Sequence, residues 1–195
     1  MTKAERTKQF IIEKSAPIFN TRGVAGTAMS DIMEATKLAK GGLYGHFDSK
    51  EELSYAAVDY NLDRLAEKTE AAVNKHKTAK GKLSAFLDLY NDPFNPPLVG
   101  GCPMLNFGME SDDTNPVIRE KVNKRLQGSP LFLTRIIEQG IVDGEFKKSW
   151  NAEEFGIKMF AMIEGGILFS RVSGNKEKMG ILIKMIKKEI EENSN

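Results

Sequence analysis

The sequence predicts an all-α protein. Apolar residues recur three and four positions apart along most of the 195 residues, and no segment has the apolar and polar alternation of an exposed strand. The clearest break is the segment 91–101, which holds three prolines and two glycines. With 41% hydrophobic residues, the chain can fill the core of one sizeable domain or of two small ones.

Three short helices are predicted within the first fifty residues. The first covers residues 6–19 and ends at the segment 20–23, where Gly23 can adopt a left-handed conformation. The second has apolar residues spaced along one face, and Thr27 is its expected N-cap. After a break near Lys37, a third helix places Leu43 and Phe47 four positions apart, so that both can pack inward.

The third helix keeps a polar, glycine-rich outer face. Gly41 and Gly45 point most directly away from Leu43, which suits close approach of the helix backbone to a partner. Such a helix is what a DNA-reading helix-turn-helix requires, although the same shape also occurs as an inert packing unit. Residues 1–50 carry eight Lys or Arg against five Asp or Glu, while the whole chain has a net charge of only +1.

Further helices are predicted along the rest of the chain. A long helix over 51–77 leads from the first fifty residues into the remainder, and a fifth covers 83–90. Residues 116–126 and 131–139 form either one interrupted helix or two, because Gly128 and Pro130 lie between them. The remaining predicted helices are a short apolar one at 104–109 and two strongly apolar ones at 152–172 and 176–192.

Four motifs in residues 6–53 resemble the amino-terminal domain of the TetR family of bacterial transcriptional regulators. They are Gly23-Val24 followed by Thr27, Asp31-Ile32, the run KGGLYGHF at 40–47, and the run SKEEL at 49–53. The chain departs from the family pattern with Lys37 in place of the turn glycine, Ala39 in place of a capping Ser or Thr, Gly42 in place of Thr or Ser, and His46 in place of a larger aromatic residue.

The resemblance implies two domains. Residues 1–50 would form a three-helix helix-turn-helix DNA-binding domain, and a long helix would join it to a helical ligand-binding and dimerisation domain, residues 51–195. The implied function is that of a ligand-responsive repressor, which binds a near-palindromic operator as a homodimer and is released by a small apolar molecule. Lys40 and His46 would read base edges, and Tyr44 and Lys50 would contact phosphates. The full set of expected DNA-binding residues is Thr27, Ser30, Lys40, Gly41, Gly42, Tyr44, Gly45, His46 and Lys50.

The second domain would hold an effector pocket and a dimer interface. The candidate pocket residues are Phe86, Tyr90, Met104, Phe107, Phe132, Met159 and Met162, with plain core packing as the alternative for all of them. The resemblance pairs the last two helices with their copies in a second subunit. The candidate interface residues are Phe155, Ile163, Gly166, Phe169, Leu182 and Ile186, with the core of a monomer as the alternative.

Several other classes of function find no support in the residues. Cys102 is the only cysteine, which rules out an intrachain disulfide and leaves either a reactive sensor thiol or a small buried side chain. No spacing of a metal site, a phosphate loop or a catalytic triad stands out, so we expect neither an enzyme nor a cofactor. A helical interaction module that does not bind DNA is the main rival. A charged amino terminus and the lack of a long apolar run predict a cytoplasmic protein with no membrane partner.

Overall fold

The computed structural model describes all 195 residues and contains nine α-helices, which confirms the all-α prediction. The helices are α1 (Lys3–Arg22), α2 (Met29–Thr36), α3 (Lys40–Tyr44), α4 (Lys50–Val73), α5 (Ala79–Tyr90), α6 (Pro103–Ser111), α7 (Pro116–Val142), α8 (Ala152–Ser173) and α9 (Glu177–Glu192). The only β-type pairing is an isolated bridge between Phe146 and Ser194.

The chain divides into two units. Unit 1 comprises residues Met1–Leu65 and Leu98–Lys124, and unit 2 comprises Ala66–Pro97 and Arg125–Asn195. Unit 1 therefore holds α1, α2, α3 and α6 in full, and unit 2 holds α5, α8 and α9. The domain boundary expected after residue 50 stays a prediction.

In unit 1, α1 is the element against which α2 and α6 pack. Its first turn is fixed by a capping box, because the Thr2 hydroxyl accepts the Glu5 N–H while the Glu5 carboxylate accepts the Thr2 N–H. Pro17 lies inside the helix, which continues past the predicted end to Arg22. Ile11 and Phe19 are fully buried on its inner face.

In unit 2, α8 and α9 form the main helix pair. A Cβ on Gly166 would lie 2.5 Å from the Met179 sulfur, so the glycine is what lets the two helices approach closely at this point. The start of α5 is held by Glu145, whose carboxylate accepts the N–H groups of Ala79 and Lys80 at 2.8 and 3.1 Å.

The predicted break at Pro130 is absent, because α7 is a single helix of 27 residues. The Thr134 hydroxyl donates a hydrogen bond to the Pro130 carbonyl at 3.0 Å, one turn later. Gly156 of α8 lies against this segment, where a Cβ would be 3.0 Å from the same carbonyl oxygen. No helix combines the length with the apolar composition that crossing a bilayer requires.

Candidate nucleic-acid interface

The helix-turn-helix begins with the loop 23–28 between α1 and α2. Gly23 ends α1 with a positive φ of 74°, but its ψ of 170° lies outside the left-handed helical region. The prediction that Thr27 caps α2 is wrong, because the N-cap is Ala28 and the Thr27 hydroxyl instead donates to the Gly23 carbonyl at 2.6 Å. Thr27 is only 1% exposed, so it stabilises the loop from within.

Asp31, in the first turn of α2, binds the N-cap residue through its side chain. Its carboxylate accepts the Ala28 N–H at 2.8 Å and forms a salt bridge of 2.8 Å with Arg22. The hydrogen bond from the Ala28 N–H is the largest influence on the pKa of Asp31 and, with Arg22, holds that pKa below its ordinary value. The start of α2 is thus tied to the end of α1 through one carboxylate.

The turn between α2 and α3 contains a backbone conformation that few side chains accept. Lys37 has φ 58° and ψ 22°, which makes it the only residue other than glycine with a positive φ. The family pattern has glycine at this position, and the lysine takes the same conformation despite its Cβ. Its side chain is exposed.

Helix α3 is short and is held mainly by its inner face. It spans five residues, and its N-cap, Ala39, offers no side-chain acceptor. Leu43 and Phe47 are 1% and 2% exposed, as the four-residue spacing predicted. Lys8 from α1 places its ammonium group 4.7 Å from the centre of the Phe47 ring. Burial therefore fixes α3 where capping does not.

The outer face of α3 is open. A Cβ on Gly41 would meet nothing within 4 Å, and Lys40, Gly42, Tyr44 and Gly45 are exposed as well. The ammonium group of Lys40 lies 5.7 Å from the centre of the Tyr44 ring, so the two side chains share one side of the helix.

The remaining predicted DNA-binding residues differ in how available they are. Ser30, in the first turn of α2, is exposed, and His46, just after α3, is partly exposed. Lys50 is already engaged, because its ammonium group donates to the carbonyls of Val24 and Thr27 at 2.9 and 3.0 Å. Lys50 therefore supports the loop 23–28 from within the protein.

One residue of this region was missed by sequence reasoning. The Glu110 carboxylate, near the end of α6, accepts the N–H groups of Val24 and Ala25 at 2.9 and 2.8 Å. The residue lies 85 or more positions away from its partners and belongs to none of the motifs. No signal in the sequence pointed to Glu110. In the structure, a Cβ on Gly23 would lie 2.8 Å from a Glu110 oxygen, so the glycine leaves room for this carboxylate.

The candidate pocket residues fall into both units. Met104 and Phe107 belong to unit 1, whereas Phe86, Tyr90, Phe132, Met159 and Met162 belong to unit 2. In unit 2, the rings of Phe86 and Tyr90 are 5.0 Å apart at 50°, and the Tyr90 hydroxyl is hydrogen-bonded to that of Thr69 at 2.9 Å. Met159 is fully buried, while Phe132 and Met162 are partly exposed.

The candidate interface residues mostly face the inside of unit 2. Phe155, Ile163 and Ile186 are 1–2% exposed, and Gly166 packs against α9 of the same chain, so these residues have no free surface for a second subunit. Leu182 is partly exposed, and Phe169 is 61% exposed.

A different set of residues on α8 is apolar and exposed, apart from one glycine, Gly165, that is partly exposed. At about 100° per residue these positions share one face of the helix. We call this set the α8 stripe, and it consists of Ile157, Ala161, Gly165, Leu168 and Val172.

Cys102 and the acidic residues give no sign of further chemistry. Cys102 is the N-cap residue of α6 and only 5% exposed, which agrees with the buried alternative. No group of three or more His, Cys, Asp or Glu side chains is placed to hold a metal ion.

The buried inner face of α3, its open outer face and the hydrogen-bonded loop 23–28 are the features of a helix-turn-helix DNA-binding regulator. A family model for bacterial regulatory proteins of the tetR family matches residues 11–57. A second family model, for the tetracyclin repressor-like C-terminal domain, matches residues 79–186. The chain belongs to the TetR family of transcriptional regulators.

Known relatives agree with this assignment over nearly the whole chain. A TetR-family regulator from Cytophaga hutchinsonii is 36% identical, with a TM-score of 0.93 over 100% of this chain and 98% of that one. A TetR regulator from Chloroflexus aurantiacus J-10-FL is 35% identical, with a TM-score of 0.91 over the same shares. The HTH-type transcriptional repressor DhaR from Mycobacterium sp. (strain GP1) is 23% identical over 175 residues, 87% of this chain and 85% of the relative. The protein is thus a DNA-binding transcriptional regulator and not an enzyme.

Proposed function

We propose that this protein is a cytoplasmic repressor that binds a near-palindromic operator as a homodimer and releases it when a small apolar molecule binds. The observation that carries the proposal is the pair of open surfaces, one on α3 and one on α8. The outer face of α3 lacks any covering contact at Gly41. The α8 stripe leaves Leu168 half exposed and Val172 81% exposed.

The first surface supports contact with the major groove. Gly41 lets the backbone of α3 approach base edges, while Lys40 and Tyr44 extend from the same exposed side. We assign base contacts to Lys40 and His46, and phosphate contacts to Tyr44 and Ser30. We no longer assign a phosphate contact to Lys50, because its ammonium group donates hydrogen bonds to two carbonyls of the loop 23–28.

The second surface supports pairing with a second copy of the chain. Isolated apolar residues are common on protein surfaces, but a continuous apolar stripe along one helix marks an interaction site. A Cβ on Gly165 would meet nothing within 4 Å, so another helix can approach the backbone there. Ile181 and Met185 of α9 are also half exposed and one turn apart, which extends apolar surface onto the second terminal helix.

Dimerisation is tested by introducing a charge into the α8 stripe. We expect the wild-type protein to have twice its chain mass of 21.7 kDa in light scattering at micromolar concentration. Leu168→Glu should give a monomer with unchanged helicity, since the residue is half exposed in the single chain. Ser173→Glu adds the same charge on another face of α8 and should remain a dimer. A wild-type monomer, both free and on DNA, contradicts the proposal.

Operator binding is tested by selection from random duplex DNA, with the selected sequences measured by fluorescence anisotropy at several salt concentrations. We expect a sequence with two-fold symmetry and half-sites about one helical turn apart or a multiple of that spacing. Tyr44→Phe should weaken all sequences alike, whereas Lys40→Met should relax the preference at one position in each half-site. Failure to enrich any sequence contradicts the proposal.

Release by an effector draws its support from unit 2, where aromatic side chains adjoin one another and Met159 is fully buried. Phe86 and Tyr90 form a ring pair beside the buried Thr69 hydroxyl. The single tryptophan, Trp150, is packed in the same unit and reports on its surroundings by fluorescence. In a panel of apolar compounds, those that change this fluorescence should also release the operator. Compounds that bind without changing operator affinity count against this mechanism.

A further inference from the structure

We infer that Glu110 is a positioning residue for DNA binding, because its carboxylate fixes the loop from which the helix-turn-helix begins. The inference rests on the proposed function and concerns a residue that touches no DNA. Its carboxylate accepts two adjacent backbone N–H groups, those of Val24 and Ala25, at 2.9 and 2.8 Å. Hydrogen bonds to an ionised acceptor are about twice as strong as those between neutral groups.

The loop 23–28 is held from two sides by opposite charges. The Glu110 carboxylate accepts hydrogen bonds from two of its N–H groups, and the Lys50 ammonium donates to the carbonyls of Val24 and Thr27 at 2.9 and 3.0 Å. Both polar groups of the Val24 backbone are thus bonded to ionised side chains from other helices. Because α2 starts directly after this loop, the position of the loop sets where α2 begins.

The first half of α6 is itself held in place by a largely buried network of two side-chain amides. The Asn106 amide donates to the Asn20 carbonyl at 2.9 Å and to the Gly100 carbonyl at 3.0 Å. The Asn20 amide donates in turn to the carbonyls of Val99 and Gly101 at 2.7 and 3.1 Å. Asn106 and Glu110 are four residues apart and so lie on the same face of α6. The network fixes α6 on α1, and Glu110 extends that connection by one turn to the loop.

Gly23 makes room for the carboxylate. A Cβ at this position would lie 2.8 and 2.9 Å from the two Glu110 oxygens, and its φ of 74° also disfavours any residue with a side chain. Glycine is therefore required here for two independent reasons. The space it leaves is filled by the group that accepts the loop N–H groups.

The decisive variant is Glu110→Gln in the full-length protein. Glutamine keeps the shape and one acceptor oxygen, but turns an N–H₂ group toward the second backbone N–H. Asp113→Asn is the matched control, since it removes the same charge from an exposed residue just beyond the end of α6. The control accounts for the general effect of lost negative charge on attraction to DNA.

We expect Glu110→Gln to weaken operator binding about tenfold relative to Asp113→Asn, which corresponds to the loss of one charge-assisted hydrogen bond. Hydrogen exchange should speed up at the Val24 and Ala25 amides, and both variants should remain fully folded under the conditions of the binding assay. Equal operator affinity in the two variants overturns the inference, as does unchanged exchange at these two amides. A loss of affinity that only follows a general loss of stability overturns it too.

Failure of the proposed function is recognised separately. In that case the wild-type protein enriches no operator, and Glu110 then has no role in DNA binding. The exchange measurement on free protein still decides whether the carboxylate holds the loop, because it needs no DNA.

Discussion

Replacement of Lys37 by glycine should stabilise the protein. The residue has φ 58° and ψ 22°, a conformation that costs a residue with a side chain about 1–2 kcal/mol. Glycine removes that cost, but it also gives the unfolded chain more freedom, which offsets about 0.4–1 kcal/mol. The net gain in free energy of unfolding should be about 0.5–1 kcal/mol. The side chain is exposed, so little packing is lost.

The measurement is urea unfolding followed by far-ultraviolet circular dichroism. With a slope of about 2–3 kcal/mol per molar urea, the midpoint should rise by about 0.3 M. Lys37→Ala is the control, because it removes the same charge and long side chain but keeps the Cβ that causes the strain. If alanine stabilises as much as glycine, or if glycine gives no gain over wild type, backbone strain at this turn is not the cause.

Three further changes test other parts of the structure. Lys50→Met should destabilise the protein by about 1–3 kcal/mol in urea unfolding, because two loop carbonyls lose their charged donor, and an effect only on DNA affinity would contradict that role. Asp31→Asn should make the free energy of unfolding fall less steeply at acid pH. The pKa of Asp31 in the folded protein lies below the ordinary 3.8, mainly because its carboxylate accepts the Ala28 N–H. The stability that this carboxylate contributes is therefore present above about pH 3.8 and is lost as the pH falls through the folded pKa. Unfolding midpoints that fall equally with pH in both proteins would contradict this. Gly140→Ala should cost about 1–3 kcal/mol, since its Cβ would lie 2.5 Å from the Phe146 ring and 2.6 Å from the Ala79 Cβ, and a neutral effect in thermal unfolding would contradict this reasoning.

The sequence predicted features that depend on neighbouring residues. The inward packing of Leu43 and Phe47 followed from their four-residue spacing, and both are buried, although α3 ends at Tyr44, three residues before Phe47. The break near Lys37 was also predicted, and the residue there has a positive φ. Such features are settled within one or two turns of chain, where spacing and backbone sterics decide.

Features that depend on residues far apart in the chain could not be predicted from the sequence. Lys50 is 26 residues from the Val24 carbonyl, and Glu110 is 86 residues from the Val24 N–H, so no local pattern marks either contact. The orientation of α8 could not be predicted from the sequence for another reason. The helix is apolar on nearly all sides, and a rotation of about 100° decides whether Gly165 or its neighbour Gly166 faces outward. The structure turns Gly166 inward and Gly165 outward.

The open space around Gly41 has a consequence for how this regulator can evolve. A glycine inside a helix costs about 1 kcal/mol relative to alanine, and a Cβ at this position would meet nothing within 4 Å. Alanine at this position would therefore leave the fold at least as stable, so stability alone does not keep a glycine here. On the proposed mode of binding, the glycine is kept by the close approach of the α3 backbone to the operator. We therefore expect relatives that carry a side chain at position 41 to bind different operators.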